Sequence, residues 1–252
     1  ILQAHDRLSG TKLVSTTQSG QAIRCQSCHP DPIYQAEGDK DRLNLSAAMH
    51  GFHANYLRER GADACSFCHP ASPTGATRAL RDIHAAAGLD CTNCHGAIED
   101  HALNLLQHER LAGKKQATTL MAHLRPRSAT DIEKIAPRKP WINQPDCLHC
   151  HVEYQPPETD TTANTWTKDE QDLYRNRTDE SGRLFCAACH SSPHALYPAD
   201  NPYNPHLDVL QPLQYQRDRL PLGANRNCAV CHTVAMEDEM HHANTLRAFR
   251  NE

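Results

Sequence analysis

The sequence predicts a mostly irregular fold of short α-helices with almost no β-sheet, built around a core that the polypeptide does not supply by itself. Three observations carry this. Only 38% of the 252 residues are hydrophobic and 5% aromatic, and mean hydropathy is −0.70, which is polar for a chain long enough to make one or two domains around apolar cores. No alternation of apolar and polar residues persists long enough to mark a strand. All 12 cysteines fall in Cys-x-x-Cys pairs, each followed at once by histidine.

The six motifs are Cys25-Gln-Ser-Cys28-His29, Cys65-Ser-Phe-Cys68-His69, Cys91-Thr-Asn-Cys94-His95, Cys147-Leu-His-Cys150-His151, Cys186-Ala-Ala-Cys189-His190 and Cys228-Ala-Val-Cys231-His232. Two thiols three positions apart can add to the two vinyl groups of one porphyrin, and the adjacent His then reaches the iron as proximal ligand. This is the signature of c-type haem attachment. Zinc ribbons, thioredoxin-like pairs and disulfide frameworks also use paired cysteines, but none of them requires His after every pair. The expected cofactor is therefore six covalently attached haem c, about one per 42 residues. On this reading the porphyrins form the core and the polypeptide is a thin wrapper.

Twelve further histidines are available as second axial ligands. From Asp41 to Arg60 the pattern is helical, with Leu43, Ala47, His50, Ala54 and Leu57 on one face and Gly61 placed to end it. His50 and His53 lie one turn apart and can both point inward. His84 ends a second helical stretch near Gly88, and His194 follows Pro193, which stiffens its loop. These four are the stronger distal candidates. The segment from Ile98 to Leu124 reads as one or two helices with Leu103, Leu106, Leu111, Leu120 and Leu124 on the apolar side, which brings in His101 and His123. His241 and His242 are adjacent, so ordinarily one of them would face a haem. His5, His108, His149 and His206 read as non-ligands within the chain, although His5 could serve a neighbouring subunit. Met49, Met121, Met236 and Met240 are alternative ligands that would raise a potential.

The longest gap between motifs separates three from three. It gives an N-terminal lobe over 1–124 with haems 1–3, a linker or brace over 125–141 containing a basic, proline-bearing stretch, and a C-terminal lobe over 142–252 with haems 4–6. No run approaches the roughly 18 apolar residues of a membrane span. The residues from Ile1 lack signal-peptide character and read as the start of a processed chain. The formal charge of −4 becomes about −10 once the propionates and ferric cores of six haems are counted, which makes nucleic acid a poor partner and a basic protein or a mineral a better one.

Two runs carry a family likeness. Cys186-Ala-Ala-Cys189-His190-Ser-Ser-Pro-His194-Ala-Leu-Tyr-Pro198 with Leu210-Gln-Pro-Leu-Gln-Tyr215, and Cys91-Thr-Asn-Cys94-His95-Gly96 with Glu99-Asp100-His101, resemble multihaem cytochromes of metal-reducing bacteria. The resemblance covers much of residues 45–240. It implies low-potential bis-histidine haems and a place in periplasmic or extracellular electron transfer, with redox proteins or extracellular acceptors as partners. Some relatives polymerise into filaments in which a His of one subunit ligates a haem of the next. The expectation is an electron carrier and not an enzyme. A filament subunit is the first alternative, and a multihaem reductase of a small oxyanion, which would need an iron with an open position, is the second.

Overall fold

The computed structural model describes residues 1–69, 82–154, 165–194, 210–218, 220–233 and 241–242; His206, Met236 and Met240 lie outside them. Among the described residues there are eleven short α-helices: α1 Leu2–Ser9, α2 Leu13–Gln18, α3 Leu45–Leu57, α4 Asp63–Ser66, α5 Ile83–Ala86, α6 Cys91–His95, α7 Ile98–Leu111, α8 Lys115–Met121, α9 Cys147–Cys150, α10 Cys186–His190 and α11 Leu210–Gln216. Isolated antiparallel bridges occur at Asp31 with Ala36, Pro145 with Trp166 and Thr178 with Phe185. The expected helix-and-loop architecture with almost no sheet is what the chain adopts.

The helix boundaries follow from local chemistry. The Asn44 side chain accepts the Ala47 N–H at 2.8 Å, so α3 starts at Leu45 and not at Asp41, because that cap satisfies one of its otherwise orphaned N–H donors. A 3₁₀ turn over Arg58–Arg60 and Gly61 at φ 56° close it, a conformation that glycine adopts without steric cost. The stretch from 98 to 124 divides into α7 and α8 at Gly113, which has φ 84°. Glu99 and Asp100 sit in the first turn of α7, where negative charge complements the helix dipole.

One expectation is corrected. The polypeptide is more than a wrapper, because it builds an apolar core of its own in the N-terminal half. Leu43, Ala47, Ala54, Ala64, Ile98, Ala102, Leu103, Leu105, Leu106, Ala117, Met121, Leu124 and Ile135 are buried together, where α3, α7 and α8 pack on one another. Small residues make the close approach possible: Ala47, Gly51 and Ala54 line the buried stripe of α3. Leu111, by contrast, is 70% exposed because it falls at the last turn of α7, beyond the stripe. A Cβ on Gly51 would stand 3.0 Å from Leu106 Cδ2 and 3.1 Å from Leu120 Cδ1. Gly51→Val should therefore destabilise the fold by about 1–3 kcal/mol, the usual cost of overpacking, as a lower midpoint in urea unfolding followed by far-ultraviolet circular dichroism.

The stretch from Arg125 to Arg138 lies along α7 as a brace. Asp100 accepts from the Arg127 and Ser128 N–H groups at 2.7 and 2.9 Å. Asn104 Nδ2 donates to the Ala136 carbonyl at 3.0 Å, Gln107 Nε2 to that of Ile132 at 2.8 Å, and the Arg138 N–H to that of Asn104 at 3.1 Å. Nearly every polar residue on that side of α7 is thus used to hold an irregular segment, which is why these residues are buried despite their polarity.

Candidate haem-binding site

Each Cys-x-x-Cys-His motif forms a single helical turn. Motifs three and five are α6 and α10 themselves. In the other four the His N–H donates to the carbonyl of the first Cys, at 2.9 Å for His29, His69 and His151 and 2.8 Å for His232. A turn of 3.6 residues puts both thiols and the imidazole on one side, which is the arrangement needed to grip a porphyrin edge and its iron together. All 12 thiols are free of disulfides and half-exposed or exposed. The turns are locally anchored: Asp90 caps α6 in a reciprocal box with Asn93, and the loop after motif one closes at Gly38, φ 56°, where a Cβ would meet Pro30 N at 2.5 Å.

The histidines show a second regularity. Each proximal ring faces a ring from elsewhere in the chain at nearly one spacing. The centroid distances are 6.3 Å for His29 with His5, 6.0 Å for His69 with His50 and 6.2 Å for His95 with His194. They are 6.1 Å for His151 with His84, 6.2 Å for His190 with His242 and 6.1 Å for His232 with His241. Two metal–imidazole bonds of about 2 Å, with about 1.1 Å from each bonding nitrogen to its ring centre, give about 6.2 Å. The rings are too far apart to bond one another and correctly spaced for one iron between them. Among the described residues no three His, Cys, Asp or Glu side chains converge as a metal cage.

Nδ1 contacts orient several of these rings. The Nδ1–H of His29 donates to the Leu43 carbonyl at 2.8 Å and that of His50 to the Ser46 carbonyl at 2.8 Å. His5 donates at 2.9 Å to Thr11 Oγ1, whose own proton goes to Asp6 at 2.6 Å. A carbonyl can only accept, so the proton sits on Nδ1 and Nε2 keeps its lone pair for a metal. Burial pushes His50, His95 and His190 down to about 4, so these imidazoles are neutral near pH 7, as ligands must be.

The other histidines stand differently. His53 Nδ1 donates to the Met49 carbonyl at 2.7 Å and its ring lies edge-on to Phe52. His101 is 4.5 Å from His50 and 5.9 Å from His95, both edge to face. Its Nδ1–H faces the His95 carbonyl at 3.3 Å and its Nε2 accepts from Arg138 at 2.7 Å, so both nitrogens are engaged. Arg138 stacks 4.0 Å over Trp166, and burial lowers the guanidinium to about 9. His123 and His149 are exposed, and His108 is half-buried. Two placements could not be read locally. His5, far from any motif, comes to His29, and the adjacent His241 and His242 split between two proximal partners.

The thiols place neighbouring motifs side by side. The thiols of Cys65 and Cys91 lie close enough to shift one another's ionisation. Burial first, then Cys150 and Cys147, push the Cys94 thiol up to about 11. Cys186 is among the neighbours of Cys147, and Cys231 is among those of Cys189. Motifs two to six thus adjoin in chain order.

Cys-x-x-Cys-His turns in series, each beside a paired imidazole, are the arrangement of a multihaem c-type cytochrome. The family described as outer membrane cytochrome MtrC/MtrF-like, domains II/IV, matches residues 61–245, and the chain belongs to it. No curated protein and no solved structure matches the chain. Its family is one of outer-membrane cytochromes that carry electrons to extracellular acceptors, and among the described residues no helix is long and apolar enough to cross a membrane.

Proposed function

We propose that the chain is an electron conduit of six bis-histidine haems, each closed on both axial faces by its own polypeptide. The observation that carries this reading is the set of six imidazole pairs at 6.0–6.3 Å. The distal ligands are then His50 to His69, His194 to His95, His84 to His151, His242 to His190, His241 to His232 and His5 to His29. His53, His101 and His123 are not ligands. Haem iron held between two imidazoles exchanges one electron with little change in its ligands. The chain's part is to hold successive centres in a row, to keep each Nε2 neutral and to set potentials through nearby charge.

The same observation weighs against the alternatives. An oxyanion reductase needs an iron with one open face, and every proximal ring has a partner. A filament joined through His5 needs that residue free for a neighbour, whereas it stands at His29 of its own chain. The segment 125–141 is a linker or brace between an N-terminal lobe over 1–124 and a C-terminal lobe over 142–252, a division supported by the hydrogen bonds of its Arg127, Ser128, Ile132, Ala136 and Arg138 to α7. The place of action is the periplasm or cell surface, with redox proteins or extracellular acceptors as partners.

Intact mass and pyridine haemochromogen absorbance test the reading. Six haem c per chain are expected, with no shift of the ferrous Soret band under carbon monoxide. Five haems or fewer, or a carbon monoxide adduct on one sixth of the haem, would refute it.

A further inference from the structure

The twelve paired imidazoles do not all rest on the same kind of group. The Nδ1–H groups of His29 and His50 donate to backbone carbonyls and that of His5 to a threonine hydroxyl. His241 alone of these donates to a carboxylate, that of Asp179, in a short hydrogen bond. Asp82 is 3.7 Å from His84, beyond hydrogen-bonding distance, and acts there only as a nearby charge.

Asp179 is built to be that acceptor. It is 6% exposed and sits beside the bridge of Thr178 with Phe185. Its carboxylate accepts from Ser181 Oγ at 2.8 Å, Arg183 N at 3.1 Å and Leu184 N at 3.3 Å. The neighbouring Glu180 N–H donates to the His241 carbonyl at 3.1 Å, so ring and backbone are clamped together.

We propose that Asp179 is a potential-setting residue: its carboxylate on Nδ1 makes His241 the most electron-donating axial imidazole and the centre between His232 and His241 the lowest in potential. This rests on the reading that His241 and His232 close on one iron. A carboxylate on the far nitrogen raises ligand basicity, which favours the ferric over the ferrous state. An iron held between His232 and His241 would take up one electron from a reduced neighbouring centre, with no ligand bond formed or broken and the proton remaining on His241 Nδ1. Because Cys231 adjoins Cys189 and His242 serves the neighbouring motif, this centre gives its electron inward along the row.

The test is Asp179→Asn in the full haem-loaded chain, which keeps an acceptor for Nδ1–H and removes the charge. Spectroelectrochemical titration should show the lowest of six components rising by about tenfold in its reduction equilibrium, or 59 mV for one electron, with all haems still low-spin. Ser181→Ala, which strips one donor from Asp179 and leaves the His241 contact, should move the same component downward. A titration superimposable on the parent's, a shift in a component other than the lowest, or a high-spin haem in Asp179→Asn would overturn the inference. His241→Ala separates it from the reading beneath. One high-spin haem in six there sustains the ligand assignment, and six low-spin haems remove that assignment and the inference with it.

Discussion

Replacing His50 with alanine should convert one of the six proposed haems from low-spin to high-spin and open it to carbon monoxide, while His53→Ala should leave the spectrum of the parent. His50 is on the buried side of α3, its ring is 6.0 Å from His69 and only 6° from parallel, and its Nδ1–H is fixed on the Ser46 carbonyl at 2.8 Å. Removing it takes away one Nε2 and leaves the cavity lined by His101, 4.5 Å away. His101 is held by Arg138 at 2.7 Å and would have to break that bond to substitute. Ferric electron paramagnetic resonance reads the outcome directly. Six low-spin haems in both His50→Ala and His50→Ala/His101→Ala would contradict the assignment of His50.

The largest effect on stability is expected at Glu109. Its carboxylate, 3% exposed, accepts from the Asn44 N–H at 2.8 Å and from Lys114 Nζ at 2.8 Å. Lys114 also donates to the Arg42 carbonyl at 2.7 Å. One residue near the end of α7 therefore ties down the cap of α3 and the start of α8. Glu109→Ala leaves the buried Asn44 N–H without its acceptor and a part-buried ammonium with the Arg42 carbonyl but no counter-charge, and should cost about 3–5 kcal/mol. Glu109→Ala/Lys114→Met should cost less than Glu109→Ala, since it removes the orphaned charge as well. Equal midpoints in denaturant for Glu109→Ala and the parent would show that the pair does not hold these helices.

What could be read from the sequence divides along the range of the forces involved. Attachment is local, so the six motifs were plain, and Gly61 and Gly88 marked helix ends because positive φ is a one-residue requirement. The stripe Leu43, Ala47, Ala54 and Leu57 gave α3 by its period, and Leu103 and Leu106 gave α7. The distal imidazoles were harder. His5 reaches His29 through two helices whose junction is set by Asp6, which accepts from Leu13 N and Val14 N at 2.7 and 2.9 Å, and no residue near His5 announces that. His241 and His242 diverge because Asp179, 62 positions away, captures one of them. His101 had the right period to be a ligand, but Arg138, 37 positions on, occupies its free nitrogen. The apolar core was underestimated because whole-chain composition averages a well-packed N-terminal half with a more polar remainder.

The central claim is that six irons are each closed by two imidazoles of one chain. Spin-quantified electron paramagnetic resonance of oxidised protein, on material shown by light scattering to be single chains, tests it most directly. Six low-spin ferric centres per chain and no high-spin signal are predicted. A single chain with one sixth of its iron high-spin, turning low-spin only on assembly, would contradict it and place one axial ligand on a neighbouring subunit.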